Sequence, residues 1–225
     1  MKRARAATRP ATPREVRAAS GRQQGERAET PLARRLEAPA RATPQDLYAL
    51  ALEWWRKGER FDIGRMAQEL GVSRATVFRW AGSRELLYGE ILSSQFEAAL
   101  ARARKEAKGE GPELITRFTE RLFHLLVTDE PLKRFVQQDA EYALRILMSK
   151  SSTVEQRCAA SVRASLEEGV RLGLIRPVMD LDALAYVIVR IGESFLYRDA
   201  ITGDPADVGS AITAIRVLLT AEQER

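Results

Sequence analysis

The sequence predicts an all-α protein, and three observations carry that prediction. From Thr43 onward, apolar residues recur at the i, i+3, i+4, i+7 spacing of helices. No segment sustains the period-two alternation of a half-buried strand. Gly and Pro then cut the chain into helix-sized lengths, most clearly at Lys108-Gly109-Glu110-Gly111-Pro112 and again at Gly173 and Pro177. About nine helices fit, as a small N-terminal three-helix unit (43–90) followed by a larger helical domain (91–225).

The elements follow in order. Thr43-Pro44-Gln45-Asp46 reads as an N-cap, a first-turn Pro and an acid near the positive helix end. Leu47, Leu50, Ala51 and Trp54 then form one buried stripe, and Gly58 ends the helix. Short helices are expected at Ile63–Leu70 and Ser73–Ala81. Ser83 caps a long fourth helix running to about Lys105. Later helices are expected near Pro112–Val127, Pro131–Ser149, Thr153–Leu172, Leu181–Ala200 and Asp204–Ala221.

Charge is segregated along the 225 residues. Met1–Ala42 holds 11 basic and 4 acidic residues, against 25 and 27 in the rest of the chain. That stretch is rich in Arg, Ala, Pro and Thr and poor in large apolar residues, so it reads as a disordered basic arm. Such an arm either touches phosphates or serves only as a solubilising tail. One Cys, Cys158, and one His, His124, exclude an internal disulfide and any zinc site needing two such ligands. Neither an 18-residue apolar run nor a signal-peptide core is present, so no membrane partner, no metal and a cytoplasmic location are expected.

The informative segment is Ile63–Arg84. Ala67 allows a close helix crossing, Gly71 supplies a left-handed turn, and Ser73 caps the next helix. Met66, Leu70, Val72, Val77 and Trp80 supply a shared core. This is a helix-turn-helix, whose second helix enters the major groove of DNA. An ordinary helical hairpin shares the helix-Gly-helix pattern but does not need the other positions. Arg74, Arg79 and Arg84 are the only charges from Ser73 to Arg84, which suits a polyanion. Arg74 and Arg79 suit guanine edges, Ala75 a thymine methyl, and Ser73 and Thr76 phosphates. Phe78 completes the DNA-facing candidates; core packing is the alternative for it, as solvation is for the arginines.

These residues resemble the TetR family of transcriptional regulators. The match runs through Val72, Ser73, Arg74, Ala75, Thr76, Val77 and Trp80, and resumes at Ser83, Arg84 and Glu85. The specific resemblance covers about Asp46–Leu92. Phe78 replaces the family's usual phosphate-bonding Tyr, and Ala81-Gly82 replaces the common Phe-Pro. The variant Arg-Ala-Thr-Val-Phe-Arg-Trp is most similar to the family's QsdR-type branch. The resemblance implies a homodimer on a palindromic operator, a repressor released by a small-molecule effector, and no cofactor. A lactone-like or acyl-type effector follows from the QsdR-type likeness alone.

Two sets of residues are candidates for the domain's implied roles. Phe118, Leu122, Tyr142, Arg145, Glu193 and Phe195 offer the aromatic and polar groups of an effector pocket, although a helical core uses the same types. Ala185, Ile188, Gly192 and Leu196, with Ile212, Ile215 and Leu219, form stripes suited to a four-helix dimer interface or an intrachain core. No nucleophile–His–acid arrangement, phosphate loop or metalloprotease motif is present, so no enzyme is expected. The rival to a regulator is an architectural DNA-binding protein without effector control.

Overall fold

A capping box opens the described chain. Thr43 accepts the Asp46 amide at 3.3 Å, and the Asp46 carboxylate accepts the Thr43 amide at 2.7 Å. In the computed structural model, residues 30, 42–149, 153–177 and 179–220 are described. The expected arm, Met1–Ala42, lies outside them except for Thr30 and Ala42.

Eleven helices occur among the described residues. They are α1 (Pro44–Lys57), α2 (Ile63–Glu69), α3 (Arg74–Ala81), α4 (Arg84–Glu106), α5 (Gly111–Val127), α6 (Glu130–Gln138), α7 (Ala140–Met148), α8 (Val154–Arg171), α9 (Leu181–Leu196), α10 (Arg198–Thr202) and α11 (Val208–Thr220). No strand occurs among the described residues.

The count exceeds nine because two expected helices are each cut in two. At Asp139 the backbone leaves the helical region, and its carboxylate accepts the Tyr142 amide at 3.1 Å, which starts α7. At Tyr197 the backbone flattens, and its carbonyl accepts the Ala200 and Ile201 amides, which starts α10. Helix α11 begins later than expected, because Asp207 accepts the Ser210 amide at 3.0 Å and acts as its cap.

Helices α1–α3 close over Trp54, Met66, Ala67 and Val77, all buried. The long α4 carries this unit into the larger domain, where it packs on α5 and α8. There α9 packs on α8, and α11 packs on α5 and α9. One apolar core runs through both parts, with a small satellite at Leu100, Ala103 and Leu122.

Candidate nucleic-acid interface and effector cavity

The helix-turn-helix is built by local chemistry. Asp62 caps α2, its Oδ1 accepting the Gly64 and Arg65 amides at 2.7 and 3.0 Å. The Arg65 amide holds the Asp62 carboxyl below its usual range, with Gly64 and the nearby Arg74 and Arg65 charges adding to it. Asp62 was not singled out in the sequence; an Asp before an apolar helix start was the available signal. Gly71 has the expected positive φ, 64°. Ser73 accepts the Thr76 amide at 3.1 Å, and the two hydroxyls lie 2.9 Å apart. Both are thereby fixed at the start of α3.

Helix α3 buries only Val77 fully. Arg74, Ala75, Phe78 and Arg79 share the exposed side, with Phe78 43% accessible. Residues at i, i+1, i+4 and i+5 form one helical face, so the structure brings together the predicted base readers. Thr76 and Trp80 are half-buried beside that face. The departure at Ala81-Gly82 has a geometric counterpart. Gly82 has φ 75°, and a Cβ there would lie 2.8 Å from Leu86 Cδ1. Only Gly fits this turn without displacing Leu86.

Arg84 is exposed at the start of α4 and stacks over the Tyr142 ring, 4.9 Å from its centroid. The Tyr142 hydroxyl donates to Glu85 at 3.1 Å, and Arg145 lies 5.4 Å from the same ring. Burial pushes the Tyr142 hydroxyl up to about 12. Tyr142 and Arg145, expected in a pocket, therefore sit against the DNA-binding unit.

The larger domain encloses two adjoining cavities of about 110 and 190 Å³. Leu122, Phe123, Val162 and Ile188 line both. Glu193 lines the first and Phe118 the second, whereas Tyr142, Arg145 and Phe195 line neither. Sequence reading missed Trp55, Gln95 and Cys158, which also line the first cavity. Their helical stripes looked like ordinary core. Burial raises the Glu193 carboxyl to about 7, opposed by the Arg190 guanidinium, which donates to it at 2.9 Å. Burial also pushes the Cys158 thiol up to about 12.

The expected dimer stripe requires correction. Ala185, Ile215 and Leu219 are buried within the chain, and Ile212 is half-buried. Ile188, Gly192 and Leu196 face the first cavity. A Cβ at Gly192 would lie 3.3 Å from Phe123 Cζ, so its smallness serves an internal approach. These rows were apolar because they face α5 and α8. The large apolar side chains left in solvent on the same two helices are Tyr186 and Val217, 51% and 59% accessible.

Residues 110–220 match the profile of the tetracyclin repressor-like C-terminal domain family. The fold resembles that of QsdR, a TetR family transcriptional repressor of R. erythropolis, with a TM-score of 0.74 and 24% identity over 81% of this chain and 96% of that one. Weaker overlays include PfmR, a TetR family regulator of Thermus thermophilus, with a TM-score of 0.37 and 22% identity over 80% and 100% of the two chains. Another is the regulator FadR of Bacillus subtilis in complex with stearoyl-CoA, with a TM-score of 0.46 and 15% identity over 80% and 100%. No curated protein matches the sequence. Among the described residues, no helix is long and apolar enough to cross a membrane.

Proposed function

Because the chain belongs to the TetR family of transcriptional regulators, we propose that it is a sequence-specific repressor that leaves a palindromic operator when a small molecule fills its C-terminal cavities. The observation that carries the DNA half is the face of α3. Two arginines, a methyl group and an aromatic ring stand in solvent on a helix whose opposite side is anchored by Val77. Arg74 and Arg79 read base edges, while Arg84 and the α3 N-terminus meet phosphates. One such helix reads too few base pairs to select a site, so two copies act on two-fold DNA. Tyr186 and Val217 supply the outward apolar surface on α9 and α11 for that pairing. The basic arm adds phosphate contacts without base preference, and the protein works in the cytoplasm, where its operator lies.

The effector half rests on the two adjoining apolar cavities, which suit an elongated ligand. We place the chain beside the QsdR-type branch, with an acyl-type or lactone-like effector. Selection of bound duplexes from a random pool tests the reading. A regulator enriches one palindrome, whereas an architectural protein enriches none and shows uniform, salt-sensitive affinity.

A further inference from the structure

The first cavity contains polar groups that the folded chain leaves unused. Trp55 is 3% accessible and lines the cavity from α1, part of the DNA-binding unit. Its indole Nε1 is buried with no hydrogen-bond partner among the described residues. A buried donor without an acceptor is a standing cost to the fold. Gln95 lines the same cavity from α4, and its side-chain amide makes no hydrogen bond among the described residues. The remaining polar lining is different in kind. Asp129 is engaged with the Leu132 amide at 2.8 Å, and Glu193 with Arg190.

Charge is the second observation. No Lys, Arg or His lines this cavity among the described residues, while two carboxyl side chains do. An anionic ligand head would meet no counter-ion there and would lie near Asp129 and Glu193. The nearest cationic partner, Arg190, is shared between Glu193 at 2.9 Å and Glu155 at 3.5 Å. An uncharged acceptor meets neither objection. The apolar continuation past Leu122, Phe123, Val162 and Ile188 into the second cavity takes a hydrocarbon tail.

We infer that the effector is an uncharged carbonyl compound with an aliphatic tail, an ester or amide rather than a free acid or a phosphorylated carrier, whose carbonyl oxygen accepts from Trp55 Nε1 and the Gln95 amide. The inference rests on the effector reading above and deepens it. It assigns Trp55 as a ligand-binding residue within the DNA-binding unit, so the ligand head touches the same helix that supports the recognition helix. A carbonyl oxygen has two lone pairs and satisfies both donors.

The probes are methyl octanoate, octanoate and nonane, matched in length and differing in the head. Their dissociation constants are measured on the full chain at pH 8 by calorimetry, with thermal shift as a second readout. Methyl octanoate should bind at least about fivefold more tightly than nonane, the size of one net hydrogen bond. Octanoate should bind more weakly than the ester. Trp55→Phe keeps an aromatic ring and removes the donor, so the ester-to-nonane ratio should fall towards one within that variant, whatever the change in cavity size. Gln95→Leu should reduce the same ratio and serves if Trp55→Phe does not fold. Octanoate binding as well as the ester overturns the proposal. So does an unchanged ratio in these variants, which would assign Trp55 Nε1 to a trapped water in the small void beside Gly58 and Gln138. If none of the three probes binds, the cavity is not an effector site, and the underlying reading falls together with the proposal.

Discussion

Helices α3 and α9 put their residues to opposite uses. Helix α3 buries one residue, Val77, and leaves Arg74, Ala75, Phe78 and Arg79 in solvent. Helix α9 buries Leu184, Ala185 and Val189 and turns Ile188, Gly192 and Glu193 onto an internal cavity. The first needs a tight support, because base readout depends on a helix held in register. The second faces a void, because a ligand-sensing wall must leave space for the ligand. Packing is therefore dense under α3 and incomplete beside α9, which sets where a mutation should hurt most.

The largest expected effect lies under α3. Met66 is fully buried there, and Met66→Ala should destabilise the chain by about 2–5 kcal/mol. Ile188→Ala should cost clearly less, because Ile188 already borders empty space and loses fewer contacts. Urea unfolding of the two variants makes the comparison, and equal losses would break it. The outer faces of α9 and α11 give the next effect. Tyr186→Glu combined with Val217→Glu should weaken self-association by about 2–4 kcal/mol, as loss of an interface anchor does. Sedimentation should then show monomer where the wild type shows dimer, with little change in unfolding midpoint.

The recognition face comes third. Arg74→Ala or Arg79→Ala should each weaken operator binding by about 1–3 kcal/mol and relax preference at one base step per half-site. Competition against mutated operators reads this directly. Thr76→Ala should instead disturb the start of α3, because its hydroxyl lies 2.9 Å from that of Ser73.

These two regions also differ in how far they were legible. At the helix-turn-helix, each residue type has a local role, since Ser73 caps, Gly71 turns and Val77 anchors. Such roles are settled by neighbours a few residues away, so spacing alone places them. The stripe Ala185, Ile188, Gly192 and Leu196 has no local role. Its apolar spacing states that a partner exists, and only the fold shows that the partner lies within the chain or is a void. Tyr142 misled for a related reason. An aromatic with a hydroxyl suits a pocket, but a break at Asp139 redirects α7 and sets the ring under Arg84. Trp55 was read as part of a core helix, since nothing in a sequence marks an indole that lacks an acceptor.

Glu193 gives a smaller effect that tests the cavity wall. Its folded value is raised to about 7 from an ordinary carboxylate value near 4.5. The folded state thus binds the proton more tightly than the unfolded chain does. This contribution is fully present below about 4.5 and is lost as pH rises through about 7. Discounted for the solvent that still reaches the group, it amounts to about 1–2 kcal/mol. Unfolding free energy measured from pH 4.5 to 8 should fall across that window in the wild type. The fall should be shallower in Glu193→Gln, and parallel curves would place the carboxyl in water rather than at the cavity.

The smallest expected effect separates two uses of α3's exposed ring. Phe78 stands where related sequences carry a Tyr, and it is 43% accessible on the face that carries Arg74 and Arg79. If the ring lies beside the phosphate backbone, Phe78→Tyr places a hydroxyl donor there. Affinity should then rise by about 0.5–1.5 kcal/mol, the net value of one hydrogen bond. The gain should be the same on operator and random duplexes, because a phosphate contact carries no base information. The slope of log affinity against log salt should not change, since a neutral donor releases no counter-ion. If the ring instead packs on a thymine methyl in the groove, the added hydroxyl loses water without a partner. Binding to the operator would then weaken while binding to random duplex stayed constant. The sign of that difference decides whether α3 holds DNA through four contacts on one face or reads bases with three of them and a ring.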